Sequence, residues 1–455
     1  MSDRYRADQH VSPRAGRVGD PRWRRFAVLL LLLASLTEPV VETLTTDRAH
    51  YVEGATVAPR PLVEAATALS NAVIPLVALG VLLLALLWAK VDGRALVLVS
   101  LPSLTMTVNE FVHGRALGPS LLLPAVAGIL LVTLRVNFAD LALLGYAGGI
   151  VAAISLLGMV FAPAFVLMSA GLAFAEKSIT GAPLLAGIFS HSNILGLYLA
   201  ASLPFAFLAR RFIVRWTIVL ILVLALVMTS SRTALFGAAV VLIVILVGWI
   251  LPRAAFRPVL VVTLIVLCIA LVQVPFSETD PSAYTYRGEI WMYNIGLLAG
   301  NWLFGLGAWF YTDDYARLSQ VLSAAASHAH NDLLTNLVMG GLLLVSVIGL
   351  VLISAWRGAD GYLDRRQGFV GGAFLAGVVA LSITETTMRF ASWGPLSASL
   401  LVPLFVMVAD ASARRGAPTT VGLVPAPLVP PSSGPVPSTR RQARAALGGS
   451  ARDHS

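Results

Sequence analysis

The chain is 455 residues long, 57% hydrophobic and only 12% charged, with a mean hydropathy of +0.83. This balance excludes a soluble globular domain and implies a polytopic membrane protein built from helices, because in lipid each spanning segment must satisfy its own backbone polar groups. The net charge of +9 does not mark a nucleic-acid partner. No nucleic-acid-binding motif accompanies it, and the basic residues follow the membrane topology instead.

In chain order, residues 1–25 are polar and basic and are expected to form a disordered cytoplasmic N-terminus, with no cleavable signal peptide. Residues 26–410 form a polytopic domain with twelve apolar segments: 26–44, 66–89, 95–112, 117–134, 140–161, 188–208, 213–229, 233–251, 258–275, 333–355, 369–384 and 394–410. Most approach the length needed to cross ~30 Å of hydrocarbon as a helix. The expected fold is therefore an all-α membrane protein with about 12 transmembrane helices. Residues 161–174 are apolar but short, and are expected to be re-entrant or interfacial. Residues 276–332 form one long outward-facing loop, apolar enough to carry short helices, and long loops in compact proteins are usually functional. Residues 411–455, rich in Pro, Ser and Ala, are expected to be a disordered cytoplasmic tail. With both termini cytoplasmic, only eight of the 32 Lys and Arg fall outside, in keeping with the positive-inside rule. The single cysteine, Cys268, rules out an intrachain disulfide and reads as a small packed apolar residue. No glycine-rich loop with a phosphate-binding lysine is present, which argues against a nucleotide-driven machine and leaves no cofactor expected.

Four polar motifs converge on the outward face. Ser230-Ser231-Arg232 turns a tight hairpin, and Arg232 is either a bidentate phosphate ligand or an interfacial arginine reaching lipid headgroups. Tyr286-Arg287-Gly288-Glu289-Ile290-Trp291 opens a helical stretch. Here Arg287 is a second phosphate ligand, or pairs with Glu289 at the surface; Tyr286 and Trp291 offer faces for a sugar or a prenyl chain. His328-Ala329-His330-Asn331-Asp332 closes the long loop with a histidine able to take a proton near neutral pH. The same histidines could ligate zinc with a carboxylate, but no further ligands are evident in the sequence, and no metal is expected. Phe189-Ser190-His191-Ser192-Asn193 enters a span, where Asn193 lines a substrate cavity or a serine caps the helix. Glu385 adds a carboxylate near the site, or pairs with Arg389 one turn away.

The order and spacing of these motifs, with Phe304-Gly305-Leu306-Gly307 and Gly340-Gly341, resemble the O-antigen ligase/polymerase family from about Phe189 to Gly349. The resemblance implies a multi-pass enzyme of the cytoplasmic (inner) membrane whose active site faces outward. It implies that Arg232 and Arg287 bind the diphosphate of an undecaprenyl-diphosphate-linked glycan donor, and that His330 activates the acceptor hydroxyl. The transfer would be metal-independent and inverting, with a glycan, lipid or protein as acceptor. His328, Asn331, Asn193, Trp291 and Glu385 are the further substrate-binding candidates. One departure is Lys177, which stands where the family often has an arginine before its Gly-x-Phe step. Ligation and repeat-unit polymerisation share this chemistry, so a polysaccharide polymerase is the nearer alternative. A lipid-linked oligosaccharide flippase is the alternative from another class; it would need polar groups at mid-membrane, and few are found there.

Overall fold

The computed structural model describes residues 20–45, 61–88, 91–168, 178–322 and 327–416. Residues 1–19 and 417–455 of the predicted tails, and Lys177, lie outside the described residues. The principal helices are α1 (Pro21–Thr45), α2 (Pro61–Trp88), α3 (Gly93–Val112), α4 (Leu123–Thr133), α5 (Ala142–Phe161), α6 (Ser192–Ala206), α7 (Phe212–Thr229), α8 (Arg232–Ile250), α9 (Arg253–Ser277), α10 (Ala283–Leu297), α11 (Asp332–Asp360), α12 (Arg365–Ser382) and α13 (Pro395–Gly416). The protein is an all-α membrane protein, and a helix underlies each of the twelve predicted spans. Among the described residues, nine helices are long and apolar enough to cross a membrane. Of the remaining three predicted spans, α4 and α6 are shorter apolar helices. The last, α12, runs 18 residues and opens on Arg365, Arg366 and Gln367, which lower its mean hydropathy. α1 begins at Pro21, so the last residues of the predicted N-terminal tail are helical. In the piece expected to be re-entrant, a single turn at Pro163–Val166 precedes a bridge between Leu167 and Leu185.

The small residues of α12 explain its central place. Helices in lipid gain little from hydrophobic exclusion and pack where small side chains let backbones approach closely. A Cβ on Gly377 would lie 2.6 Å from Val241, and one on Gly237 would lie 2.3 Å from Leu381. The α8–α12 interface is accordingly the most extensive between helices among the described residues. From Phe369 to Ser382 every residue of α12 is buried. By contrast α9 presents Val259, Val262, Ile265, Val266 and Ile269 outward, as a lipid-facing helix does. Cys268 shares that exposed surface, which corrects the expectation that it is packed inside.

The long loop has its own core. Trp291, Leu298, Phe310, Tyr311 and Leu318 pack with Leu334, Leu337 and Val338 from the start of α11, and the loop carries short helices at Phe310–Asp313 and Tyr315–Val321. It is keyed into α11 by paired glycines. α11 breaks at Gly341, whose φ is 63° and ψ −165°. Through the break, Leu306 N–H donates to Val338 O at 2.6 Å, Gly307 N–H to Met339 O at 3.1 Å, and Leu342 N–H to Trp302 O at 2.8 Å. A Cβ on Gly305 would sit 2.5 Å from Val338 O, and one on Gly341 would sit 2.2 Å from Leu303 O. Both positions also need a positive φ, so glycine is the residue that fits. α3 buttresses this joint: buried Glu110 accepts the Ala308 N–H, and Asn109 donates to Met339 O at 2.7 Å.

Gly341→Ala is expected to destabilise the protein by about 1–3 kcal/mol, through both the left-handed φ and the clash with Leu303 O. Gly349→Ala, in the same helix with nothing within 4 Å of its would-be Cβ, should leave stability unchanged or slightly raised. Thermal unfolding of the detergent-solubilised protein checks the pair, and equal midpoints would remove the keyed joint from the account.

Candidate active site

Three backbone features bring the predicted catalytic residues to one end of the bundle. Ser230 turns the α7–α8 hairpin with φ 50°, so that Arg232 opens α8. Tyr284, Thr285 and Tyr286 take φ values of 52°, 64° and 64° immediately before Arg287. His330 has φ 49°, and the next residue, Asn331, caps α11 by accepting the Leu334 N–H at 2.9 Å. Five of the six non-glycine residues with positive φ, among those described, therefore adjoin Arg232, Arg287 or His330. A left-handed φ costs such a residue about 1–2 kcal/mol. Strain of this kind persists where surrounding structure enforces it, and it clusters at functional sites.

Glu385 is the centre of the arrangement. It lies in the turn after α12 and is only 4% exposed. Its Oε1 pairs with Arg287 Nη2 at 2.5 Å, while Arg287 Nη1 donates to the Thr384 carbonyl. Its Oε2 lies 3.2 Å from His330 Nδ1 and 3.6 Å from His328 Nε2. The two imidazoles stack with centroids 4.1 Å apart. On the far side of His328, Ser327 Oγ is 2.9 Å from Nδ1 and Arg389 Nη2 is 3.5 Å from Nε2. Burial alone would push the Glu385 carboxyl up. The charges of Arg287 and His330 and hydrogen bonds from both histidines overcome it and hold the group well below the usual carboxylate range. Burial, with His330 beside it, pulls His328 down to about 3.

The turn bearing Glu385 is pinned from beneath. Asp332 Oδ1 accepts the N–H groups of Thr387 and Met388 at 2.9 and 2.8 Å. Thr335 and Thr386 share a hydroxyl hydrogen bond of 2.7 Å. Asn331 Nδ2 donates to Leu271 O at 3.0 Å and Ile383 O at 2.9 Å, tying α9, α11 and α12 together at this end. A further hydroxyl pair, Thr233 with Thr384 at 2.7 Å, joins the start of α8 to the same turn. Arg232, one residue earlier, is exposed, and among the described residues no hydrogen bond or ion pair to it is found.

The predicted residues thus divide. Arg287, His328 and His330 each meet Glu385, and Arg232 is joined to this turn through the neighbouring Thr233 and Thr384. Trp291 has 0% exposure and packs against Tyr284 at 5.1 Å; it is a core residue with no face for a ligand, whereas Tyr286 is 50% exposed. Asn331 is also fully buried, with both sides of its amide committed to backbone. That makes it a tie between helices instead of a substrate contact. Asn193 is half-buried in the first turn of α6, with no hydrogen bond to His328 or His330 among the described residues. The cap there is neither serine: His191 Nδ1 accepts the Asn193 N–H at 3.0 Å. Glu385 pairs with Arg287, not with Arg389. Nothing in the sequence links residues 98 apart, although a lone glutamate among threonines at a helix end was the available signal.

His328, His330 and Glu385 offer ligand atoms that all lie within 4.8 Å of one another, so the third metal ligand not evident in the sequence does exist in space. The donor set nonetheless fits a metal poorly. Arg287 holds Oε1 of the carboxylate, and Arg389 faces the His328 nitrogen that would coordinate. A divalent ion would have to settle between two fixed cations, and the guanidinium groups already supply the positive charge it would bring.

No curated protein matches the chain. The O-antigen ligase family model matches residues 217–349. That segment takes in Arg232, Arg287, the glycine joint and His330; the Phe189–Asn193 step precedes it and Glu385 follows it. Over this segment, which supplies much of the polar cluster at one end of a multi-pass bundle, the chain is similar to the O-antigen ligase family.

Proposed function

We propose that the protein is a membrane glycosyltransferase that transfers a glycan from an undecaprenyl-diphosphate-linked donor to an acceptor hydroxyl at the outer face of the cytoplasmic membrane, with both termini cytoplasmic. The observation that carries this reading is the contact of Arg287 and His330, 43 positions apart, with the two oxygens of one buried carboxylate. Phosphate-binding charge and a proton acceptor are thereby held side by side.

In the proposed step, the acceptor oxygen attacks the anomeric carbon of the donor while His330 removes its proton. The His330 Nδ1 faces Glu385, so Nδ1 carries the hydrogen and Nε2 is the basic nitrogen. The new bond joins acceptor oxygen to anomeric carbon. The bond between that carbon and the phosphate oxygen breaks, and its electron pair leaves with undecaprenyl diphosphate. Arg287 and Arg232 stabilise the charge that grows on the leaving group. One displacement inverts the anomeric centre. The donor bond is already activated, so no nucleotide enters. His328 is unsuited to be the base: a group pulled down to about 3 has little affinity for the proton at neutral pH. Ligation and polymerisation differ in the acceptor, and product length separates them.

His330→Ala is expected to lower transfer by about 10²–10⁴-fold, and Arg287→Ala or Arg232→Ala by about 10²–10³-fold. The assay uses membranes supplied with undecaprenyl-diphosphate-linked glycan, with protein level and insertion held equal. Wild-type transfer in both His330→Ala and Arg287→Ala would sink the assignment.

Acid should loosen the site. The ordinary value of histidine is 6.5 and His328 sits at about 3, so between these the unfolded chain binds more protons than the native one and stability rises with pH. The contribution is complete above about pH 6.5 and declines below it, by at most ~1.4 kcal/mol per unit. The depressed Glu385 acts in the same direction at lower pH. Hydrogen exchange of residues 327–332 and 384–389, corrected for its intrinsic pH dependence, should quicken from pH 7 to pH 5, and should do so less in His328→Asn.

A further inference from the structure

The Glu385 carboxylate lies outside the segment matched to the family, yet it touches both halves of the proposed chemistry. One oxygen neutralises Arg287 at 2.5 Å and the other meets His330 Nδ1 at 3.2 Å. The charged and titratable groups around it are Arg287 from α10, His328 and His330 from the segment before α11, and Arg389 from its own turn. Asp332, at the start of α11, grips the backbone of that turn at Thr387 and Met388. Without donor, Arg287 therefore spends its charge on Glu385. A diphosphate seated at Arg287 would compete for the same guanidinium, whose planar fork suits phosphate oxygens as well as carboxylate.

We propose that Glu385 is a shared counter-ion that couples donor binding to the acceptor base: diphosphate draws Arg287 away from Glu385, and the released carboxylate strengthens its hydrogen bond from His330 Nδ1–H. This rests on the reading of Arg287 as the diphosphate ligand and His330 as the base. The bond to Nδ1–H fixes the tautomer and makes Nε2 more basic, as a carboxylate does to a histidine it orients. The base is then strongest when the donor is in place and weaker in the empty site. Glu385 is on this account a positioning residue; it contacts neither the donor sugar nor the acceptor. Its connection to Arg287 is specific in direction as well. Thr384 O remains as the second partner of Arg287, so the guanidinium can turn from the carboxylate without losing all its protein contacts.

The test separates binding from catalysis. In Glu385→Gln, kcat should fall about 10- to 100-fold while the donor KM stays the same or falls, because Arg287 loses its competitor for phosphate. The acidic limb of the kcat–pH profile should move to lower pH, since His330 loses the negative charge that favours its protonated form. In the full-length protein in detergent, with histidine labelled by ¹⁵N, undecaprenyl diphosphate should raise the His330 pKa more in wild type than in Glu385→Gln. A raised donor KM with unchanged kcat would overturn the proposal and make Glu385 a substrate ligand. So would equal His330 shifts in the two proteins. Transfer measured alongside in His330→Ala and Arg287→Ala distinguishes the levels: if these two are inactive and Glu385→Gln behaves as wild type, only the coupling fails. If both remain active, the functional assignment beneath it fails.

Discussion

A buried carboxylate at a membrane boundary must be compensated, and the compensation of Glu385 organises this end of the protein. An ionised carboxylate withdrawn from water is strongly penalised unless paired and hydrogen-bonded. Glu385 is almost fully buried and reaches Arg287 with one oxygen and the histidines with the other. To make those contacts, α10 has to present Arg287, the loop end has to present His330, and the turn after α12 has to stay folded. Asp332, Thr335, Asn331 and Thr233 hold that turn from α11 and α8. Removing the carboxylate would therefore leave a guanidinium and an imidazole without their shared partner, while removing a single tie would shift all of them together.

The same logic explains where the backbone is strained. The left-handed residues Ser230, Tyr284–Tyr286 and His330 lie in three separate connections, and two of these bring Arg287 and His330 to Glu385. Relaxing any of them to ordinary geometry would turn its side chain elsewhere. The glycine joint between Gly305–Gly307 and Gly340–Gly341 plays a supporting part. It fixes the long loop against α11 through hydrogen bonds in the helix break, so the loop core around Trp291 becomes a rigid base for Arg287 and not a mobile flap. Irregular backbone is tolerated here because its polar groups find partners within the protein.

Much of the fold was legible in the sequence, because length and hydropathy report the requirement that lipid imposes on each segment. The limits are instructive in α12, where Arg365, Arg366 and Gln367 at its start lower the hydropathy while its glycines and alanines serve close packing against α8. Apolar composition identifies a spanning helix but does not reveal which face meets lipid, and Cys268 fell on the outward side of α9. Arg232, Arg287 and His330 stood out in the sequence because ionisable residues are scarce in such a chain, and of these Arg287 and His330 meet at Glu385. Trp291 and Asn331 sat in the right motifs but serve packing and helix ties, a distinction that depends on burial. The Glu385–Arg287 pair was hidden because it joins residues from different loops, and sequence spacing carries no information about such contacts.

The balance of charge at this end bears on what the site is built to receive. Arg287 has Glu385 as its counter-ion, and His328, pulled down to about 3, is neutral at any physiological pH. Arg389 faces that neutral imidazole, and Arg232 is exposed with no partner among the described residues. The Asp332 carboxylate is occupied with the backbone of Thr387 and Met388, and its charge also favours Arg389. Across the cluster the three guanidinium groups of Arg232, Arg287 and Arg389 outnumber the two carboxylates of Glu385 and Asp332. Beside low-dielectric lipid, an excess of fixed cations over carboxylates favours the arrival of an anion. A sugar hydroxyl brings no such charge, whereas a diphosphate does. On the proposed function, the anionic part of the donor would complete the electrostatics of the site, and the acceptor would be recognised by shape and hydrogen bonds.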